Sequence, residues 1–172
     1  IIPVEPYGLV LENHAIAIDK GVIQAVLPAS EISRQFSPIE HIVLPQHVLI
    51  PGLINLHTHA AMALLRGLAD GLPLMEWLND HIWPAEIKHV NEDFVLDGTN
   101  LACIEMLRGG TTCFNDMYFF PKESAKAMLA SGMRGAIGML TIDFPTAYAN
   151  DPEDYLAKGL AMRDEYRHHS LL

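Results

Sequence analysis

The sequence predicts an α/β chain: a β-rich head followed by a parallel sheet built from strand–helix repeats. Three observations predict it. Up to about Pro51, short alternating or apolar runs are separated by Gly and Pro. After Pro51, apolar runs of strand length alternate with helix-length segments that carry their own start and stop residues. The first of these later runs, GLINLH (Gly52 to His57), is apolar up to its end but for Asn55. That pattern suits a strand buried on both faces of a parallel sheet.

In the head, HAIAID (His14 to Asp19) alternates, Lys20-Gly21 turns the chain, and VIQAVLP (Val22 to Pro28) follows, which is a hairpin signature. ASEISRQFSPIE is a short helix or loop. HIVLP and HVLIP (His41 to Pro45, His47 to Pro51) are two further strand candidates, punctuated by their prolines. Beyond Pro51, LMEWLNDHIW (Leu74 to Trp83) is a short helix ended by Pro84. Asn91 is the N-cap of a long helix that runs to Arg108 and stops at Gly109-Gly110. Thr111 to Met117 is the next strand. Pro121 opens a helix that Gly132 closes, and Met133 to Leu140 is a third strand. Asp151-Pro152 opens a last helix to about His168. Strands and helices in this order imply parallel strands joined by right-handed crossovers. Three such units do not close an eight-unit barrel of ~250 residues. The expectation is therefore a small open sheet, or the first part of something larger.

Composition narrows the function classes. Half of the 172 residues are hydrophobic and 19% are charged, as in a globular chain rather than a disordered one. The net charge of −10 argues against a nucleic-acid binder, which needs clustered Lys and Arg. No apolar run is long enough to span a bilayer, so no membrane role is expected. Two cysteines, Cys103 and Cys113, make no C-x-x-C and no disulfide framework, and no signal peptide is visible in a chain that starts at Ile1. A reducing, cytoplasmic setting is the default. H-E-x-x-H, Walker-type and G-x-S-x-G motifs are absent, as is the H-x-E with P-C-x-x-C of cytidine-deaminase zinc sites.

The chemistry-bearing feature is His57-Thr58-His59 at the end of GLINLH. In a strand, residues i and i+2 share a side, so the two imidazoles project together and Thr58 faces away. They end the first strand of the strand–helix series, and sites in parallel α/β folds lie at the carboxyl ends of strands. Imidazole suits zinc, iron or nickel. With nine histidines in the chain an H-x-H often arises by chance, and two histidines at a strand end can also simply cap backbone or face water. The other seven read as surface or packing residues.

The segment PGLINLHTHAAMALLRGLADGLPLMEWLNDHIWPAE, followed by RGGTTCFNDMY, resembles the amidohydrolase superfamily. The resemblance is greatest to the branch of 5-methylthioadenosine/S-adenosylhomocysteine deaminases and s-triazine chlorohydrolases, and it extends over essentially the whole chain. It implies a (β/α)8 TIM-type barrel, of which residues 52–172 would be the first three βα units. Residues 1–51 would be the N-terminal part of the small β-sandwich that precedes it. It implies one divalent metal, zinc or alternatively iron, with His57 and His59 as two of its ligands. A His, an Asp and the general acid and base of such enzymes lie on later strands, beyond residue 172, so this segment alone is expected to be inactive. The implied reaction is hydrolytic deamination of an adenine-type nucleoside. By the same resemblance Glu86 would accept hydrogen bonds from ribose hydroxyls.

Two more residues are candidates for substrate contact. Trp77, six residues before Trp83, would wall an aromatic pocket, although such residues are more often core. Arg134, in SGMRG, resembles a family arginine near the distal end of the substrate, although it starts its strand rather than ending it. Asp116 ends the second strand of the series and would support the site or bind loop backbone. Asn55 shares the His57 side and reads as packing. The alternatives are an s-triazine chlorohydrolase or a guanine-type deaminase. From a different class, the alternative is a non-catalytic α/β interaction module. An unpaired apolar sheet edge would favour self-association.

Overall fold

The computed structural model describes residues 1–172, which form two compact units, Ile1–Pro51 and Gly52–Leu172. In the first, β1 (His14–Asp19) and β2 (Val22–Pro28) pair antiparallel, with Asp19 opposite Val22. The two residues between them take positive φ, 49° at Lys20 and 76° at Gly21. That is the turn whose twist matches the flanking strands. A short helix, α1 (Ala29–Gln35), follows. The two strands expected at 41–45 and 47–51 do not form. The sheet of this unit holds only β1 and β2, so these apolar runs have no neighbouring ladder to pair with. Their Ile42, Val43 and Val48 are exposed.

The second unit carries a three-stranded parallel sheet in the order β3 (Leu53–Thr58), β4 (Thr111–Asp116), β5 (Arg134–Ile137). Each strand neighbours the next in sequence, and a helical segment covers each crossover. After β3 a 3₁₀ turn spans Ala60–Leu65. The segment expected to be one short helix is instead α2 (Leu74–Trp77), a π-helical turn (Leu78–Ile82) and α3 (Trp83–His89). Pro84 does not end it. The backbone N–H of Trp83 reaches five residues back to Leu78, and Pro84, which has no N–H, takes a place in the first turn of α3.

α4 (Glu92–Arg108) starts at Asn91, whose side chain accepts from the backbone N–H of Phe94 at 2.9 Å. Its buried residues are Val95, Gly98, Thr99, Ala102 and Cys103, a single stripe at helical spacing. α5 (Pro121–Ala130) and α6 (Pro152–Tyr166) follow β4 and β5. Asp151 caps α6 by accepting from the backbone N–H of Asp154 at 2.8 Å. β5 is shorter than expected because β4, its partner, ends at Asp116. One last bond, from Gly138 N–H to the Asp116 carbonyl, closes the ladder.

The core lies between the sheet and its helices. One cluster joins Ala60, Ala102, Cys103, Phe114, Met128 and Met133, and a second joins Ala61, Val90, Val95 and Tyr118. The expectation that GLINLH is buried on both faces fails: Leu53, Ile54 and Leu56 are more than half exposed. β3 is an edge strand with β4 as its one neighbour.

The close approach of α4 to the 3₁₀ turn depends on Gly98. A Cβ there would fall against the Ala61 carbonyl oxygen and 2.9 Å from the Ala61 Cα. Both are backbone atoms, so the turn itself would have to move. Gly98→Ala is expected to destabilise the fold by about 1–3 kcal/mol, the usual range for an overpacked core. A denaturant midpoint equal to or above that of the parent would refute this.

Candidate metal and substrate site

The carboxyl ends of β3 and β4 bring four side chains into one chain of contacts. His57 and His59 stand edge to face with ring centroids 5.2 Å apart, on the same side of the strand end. Thr58 turns the other way. Its hydroxyl lies 2.9 Å from both the Asn115 carbonyl and Asp116 Oδ1.

The pair is held from outside. His59 Nδ1 lies 2.6 Å from the Met117 carbonyl, which can only accept, so Nδ1 carries the proton and donates. That fixes the tautomer and leaves the Nε2 lone pair free, the arrangement usual behind a metal-ligating imidazole. Asp116 is fully buried, and its Oδ1 also accepts from the backbone N–H of Ala60 at 2.7 Å. One carboxylate oxygen thus ties down the residues on either side of His59. Oδ2 is buried with no partner. Asn55, expected to pack, accepts from the backbone N–H of His57 at 3.3 Å.

From His59 the contacts continue to Tyr118, with ring centroids 6.4 Å apart. The Tyr118 hydroxyl donates to Glu86 Oε1 at 2.7 Å. Glu86 comes from α3 and is half-buried. Burial pushes its carboxyl above the ordinary range, and the Tyr118 bond and then His59 pull it back. Burial, followed by the Glu86 bond, pushes the Tyr118 phenol well above its usual value, so it stays a donor.

Of the expected site residues, the structure therefore joins His57, His59 and Glu86, and the link is Tyr118, which carries no expected role although it closes the RGGTTCFNDMY segment. Its signals are that segment and its position, two residues past the end of a site-bearing strand. Trp77 is half-buried at the end of α2 and takes no part in the ring contacts of His57, His59 and Tyr118. Arg134 is exposed and opens β5 opposite Cys113, whereas the histidines lie at the strand exits, beside Asp116 and Ile137. The parallel register places it at the other end of the sheet.

The donor set suits a borderline divalent metal: two imidazoles on one side of the strand end, one with its second nitrogen already bonded. It is also half a set. No group of three or more His, Cys, Asp or Glu comes together in the chain to hold a metal, and a catalytic zinc takes three protein ligands.

The sequence model of the amidohydrolase family matches residues 48–169, which include every residue of this site. The chain belongs to the amidohydrolase family. It is 56% identical, over 97% of its length, to a 5-methylthioadenosine/S-adenosylhomocysteine deaminase of Saccharophagus degradans, of which it covers 37%. It is 46% identical over its whole length to the deaminase of the same name from Teredinibacter turnerae, covering 39% of it. Among solved structures it matches an adenosine deaminase from Xanthomonas campestris with bound zinc, at TM-score 0.96 and 48% identity, over 98% of this chain and 38% of that one. A guanine deaminase from C. acetobutylicum shares the fold at TM-score 0.74 and 21% identity, over 91% of this chain and 38% of that one. The chain thus spans under two-fifths of the length of these curated relatives. No helix is long and apolar enough to cross a membrane.

Proposed function

We propose that this chain is the N-terminal part of a metal-dependent amidohydrolase that deaminates an adenine-type nucleoside. The substrates in view are 5-methylthioadenosine, S-adenosylhomocysteine and adenosine. The observation that carries the reading is the contact chain at the strand exits, which links an edge-to-face imidazole pair to the Glu86 carboxylate through Tyr118. The high identities to deaminases over nearly the whole chain support it.

On this reading residues 1–51 belong to a small β-sandwich and residues 52–172 are the first three units of a (β/α)8 barrel. The consecutive order of β3, β4 and β5 suits such a barrel. His57 and His59 hold one divalent metal, zinc or iron, and later strands complete its ligands. The chemistry the metal supplies is to make a water molecule acidic near neutral pH. His59 presents Nε2 because Met117 holds its other nitrogen. Glu86 accepts from the ribose diol, and its carboxylate has enough lone pairs to take both hydroxyls beside the Tyr118 bond. Trp77 and Arg134 are weaker candidates for substrate contact, since neither is drawn into this contact chain. The setting is cytoplasmic. Lacking a third ligand, the 172 residues alone do not turn over.

The test is a substrate panel with the complete enzyme: the three nucleosides, guanine and melamine. Release of ammonia from the nucleosides at a far higher kcat/KM than from the other two is expected. The reverse order would overturn the reading. Glu86→Ala should raise KM for the nucleosides about tenfold or more, as the loss of hydrogen bonds to a charged group does. An unchanged KM would remove Glu86 from the site.

A further inference from the structure

Tyr118 is buried, 5% exposed, and its ring packs in the cluster with Ala61, Val90 and Val95. Its hydroxyl has one partner, Glu86 Oε1. Glu86 in turn makes no ion pair with Lys or Arg, and no other side chain hydrogen-bonds to it. The two residues are 32 positions apart and come from different layers, a helix and a strand exit. A glutamate has three side-chain torsions, and a half-buried one without a partner samples several of them. Here a rigid, core-anchored phenol fixes one of its oxygens before any ligand arrives.

We propose that Tyr118 is a positioning residue that pre-orients Glu86 for a vicinal diol on the substrate. This rests on the reading of Glu86 as the ribose acceptor. The phenol occupies one lone pair of Oε1 and leaves Oε2 and the remaining lone pair of Oε1 to accept from two adjacent hydroxyls. Affinity is gained by removing the ordering cost from the binding step. The effect therefore belongs to ligands that carry the diol and not to the reacting ring.

The experiment uses the complete enzyme and two ligands, adenosine and 2′,3′-dideoxyadenosine, which lacks the diol. Tyr118→Phe keeps the ring and its packing. It should raise KM for adenosine about tenfold, the scale of one hydrogen bond to a charged group, with kcat within about twofold. KM for the dideoxy compound should not change. In a Glu86→Ala background, where the phenol has no carboxylate to hold, Tyr118→Phe should add nothing. KM is a property of the folded fraction, so the comparison of the two ligands still decides if Tyr118→Phe folds poorly. An equal KM rise for both ligands, or the same rise in the Glu86→Ala background, would overturn the proposal. If Glu86→Ala raises KM for adenosine and Tyr118→Phe does not, the ribose reading stands and this proposal falls. If Glu86→Ala leaves KM unchanged, both fall.

Discussion

Replacing His59 with alanine in the complete enzyme should abolish zinc retention and lower kcat/KM by at least about 10³-fold. On the proposed function a metal held by this pair would contribute several kcal/mol of transition-state stabilisation, and each ~1.4 kcal/mol is tenfold in rate. The loss should exceed that of a residue that merely contacts substrate, because the proposed chemistry would depend on the metal for its acidic water. The geometry also predicts an order within the pair. His59 is held by the Met117 carbonyl at 2.6 Å and flanked by two residues bonded to Asp116. His57 is exposed, and only its backbone N–H is bonded. The pre-oriented imidazole is the better ligand, so His59→Ala should lose more zinc than His57→Ala. Met117 cannot be removed as a backbone acceptor, so the check is metal content by elemental analysis beside activity in His57→Ala, His59→Ala and the parent. A His59→Ala enzyme that kept stoichiometric zinc and parental turnover would overturn the assignment of the pair as ligands.

The histidine pair is legible in the amino-acid sequence because its geometry is local. Two residues at i and i+2 in a strand must share a side, and here their rings meet at 5.2 Å. Asn91 and Asp151 are legible for the same reason, since a cap is decided within four residues. What the sequence hides is non-local. Tyr118 and Glu86 meet only because the fold brings a residue of α3 beside the chain just past β4, 32 positions away. The apolar runs at 41–45 and 47–51 have the composition of strands, but a strand exists only where another ladder can pair with it, and none does. Pro84 departs from expectation for a subtler reason. Proline ends a helix by lacking a donor, and a π-helical turn just before it removes the need for that donor. Arg134 is a candidate by likeness to a family arginine, whereas the strand it starts runs parallel to β4, which puts its side chain's origin at the wrong end. GLINLH has the composition of a doubly buried strand. It is an edge strand here, with β4 on one side alone, and its Leu53, Ile54 and Leu56 stay more than half exposed.

Asp116→Ala should cost about 3 kcal/mol of stability and weaken zinc binding by about 10–100-fold, whereas Asp116→Asn should cost within about 1 kcal/mol. The argument turns on which oxygen is used. Oδ1 accepts from the Thr58 hydroxyl and from the Ala60 backbone N–H, the two residues that bracket His59. Alanine removes that acceptor. The Thr58 hydroxyl still has the Asn115 carbonyl, but the Ala60 N–H, in a residue only 6% exposed, is left buried without a partner. An unsatisfied buried donor is the expensive case, and the turn that aims His59 is the segment that must shift to relieve it. Asparagine keeps an oxygen at Oδ1. Its amide nitrogen would replace Oδ2, which has no partner to lose, so the exchange trades one unpaired polar atom for another. The measurement is denaturant unfolding of the metal-free proteins, paired with zinc titration of each. If the asparagine variant loses as much as the alanine variant, the charge of Asp116 and not its Oδ1 acceptor holds the turn. If alanine costs less than about 1 kcal/mol, Asp116 does not brace the His59 turn at all.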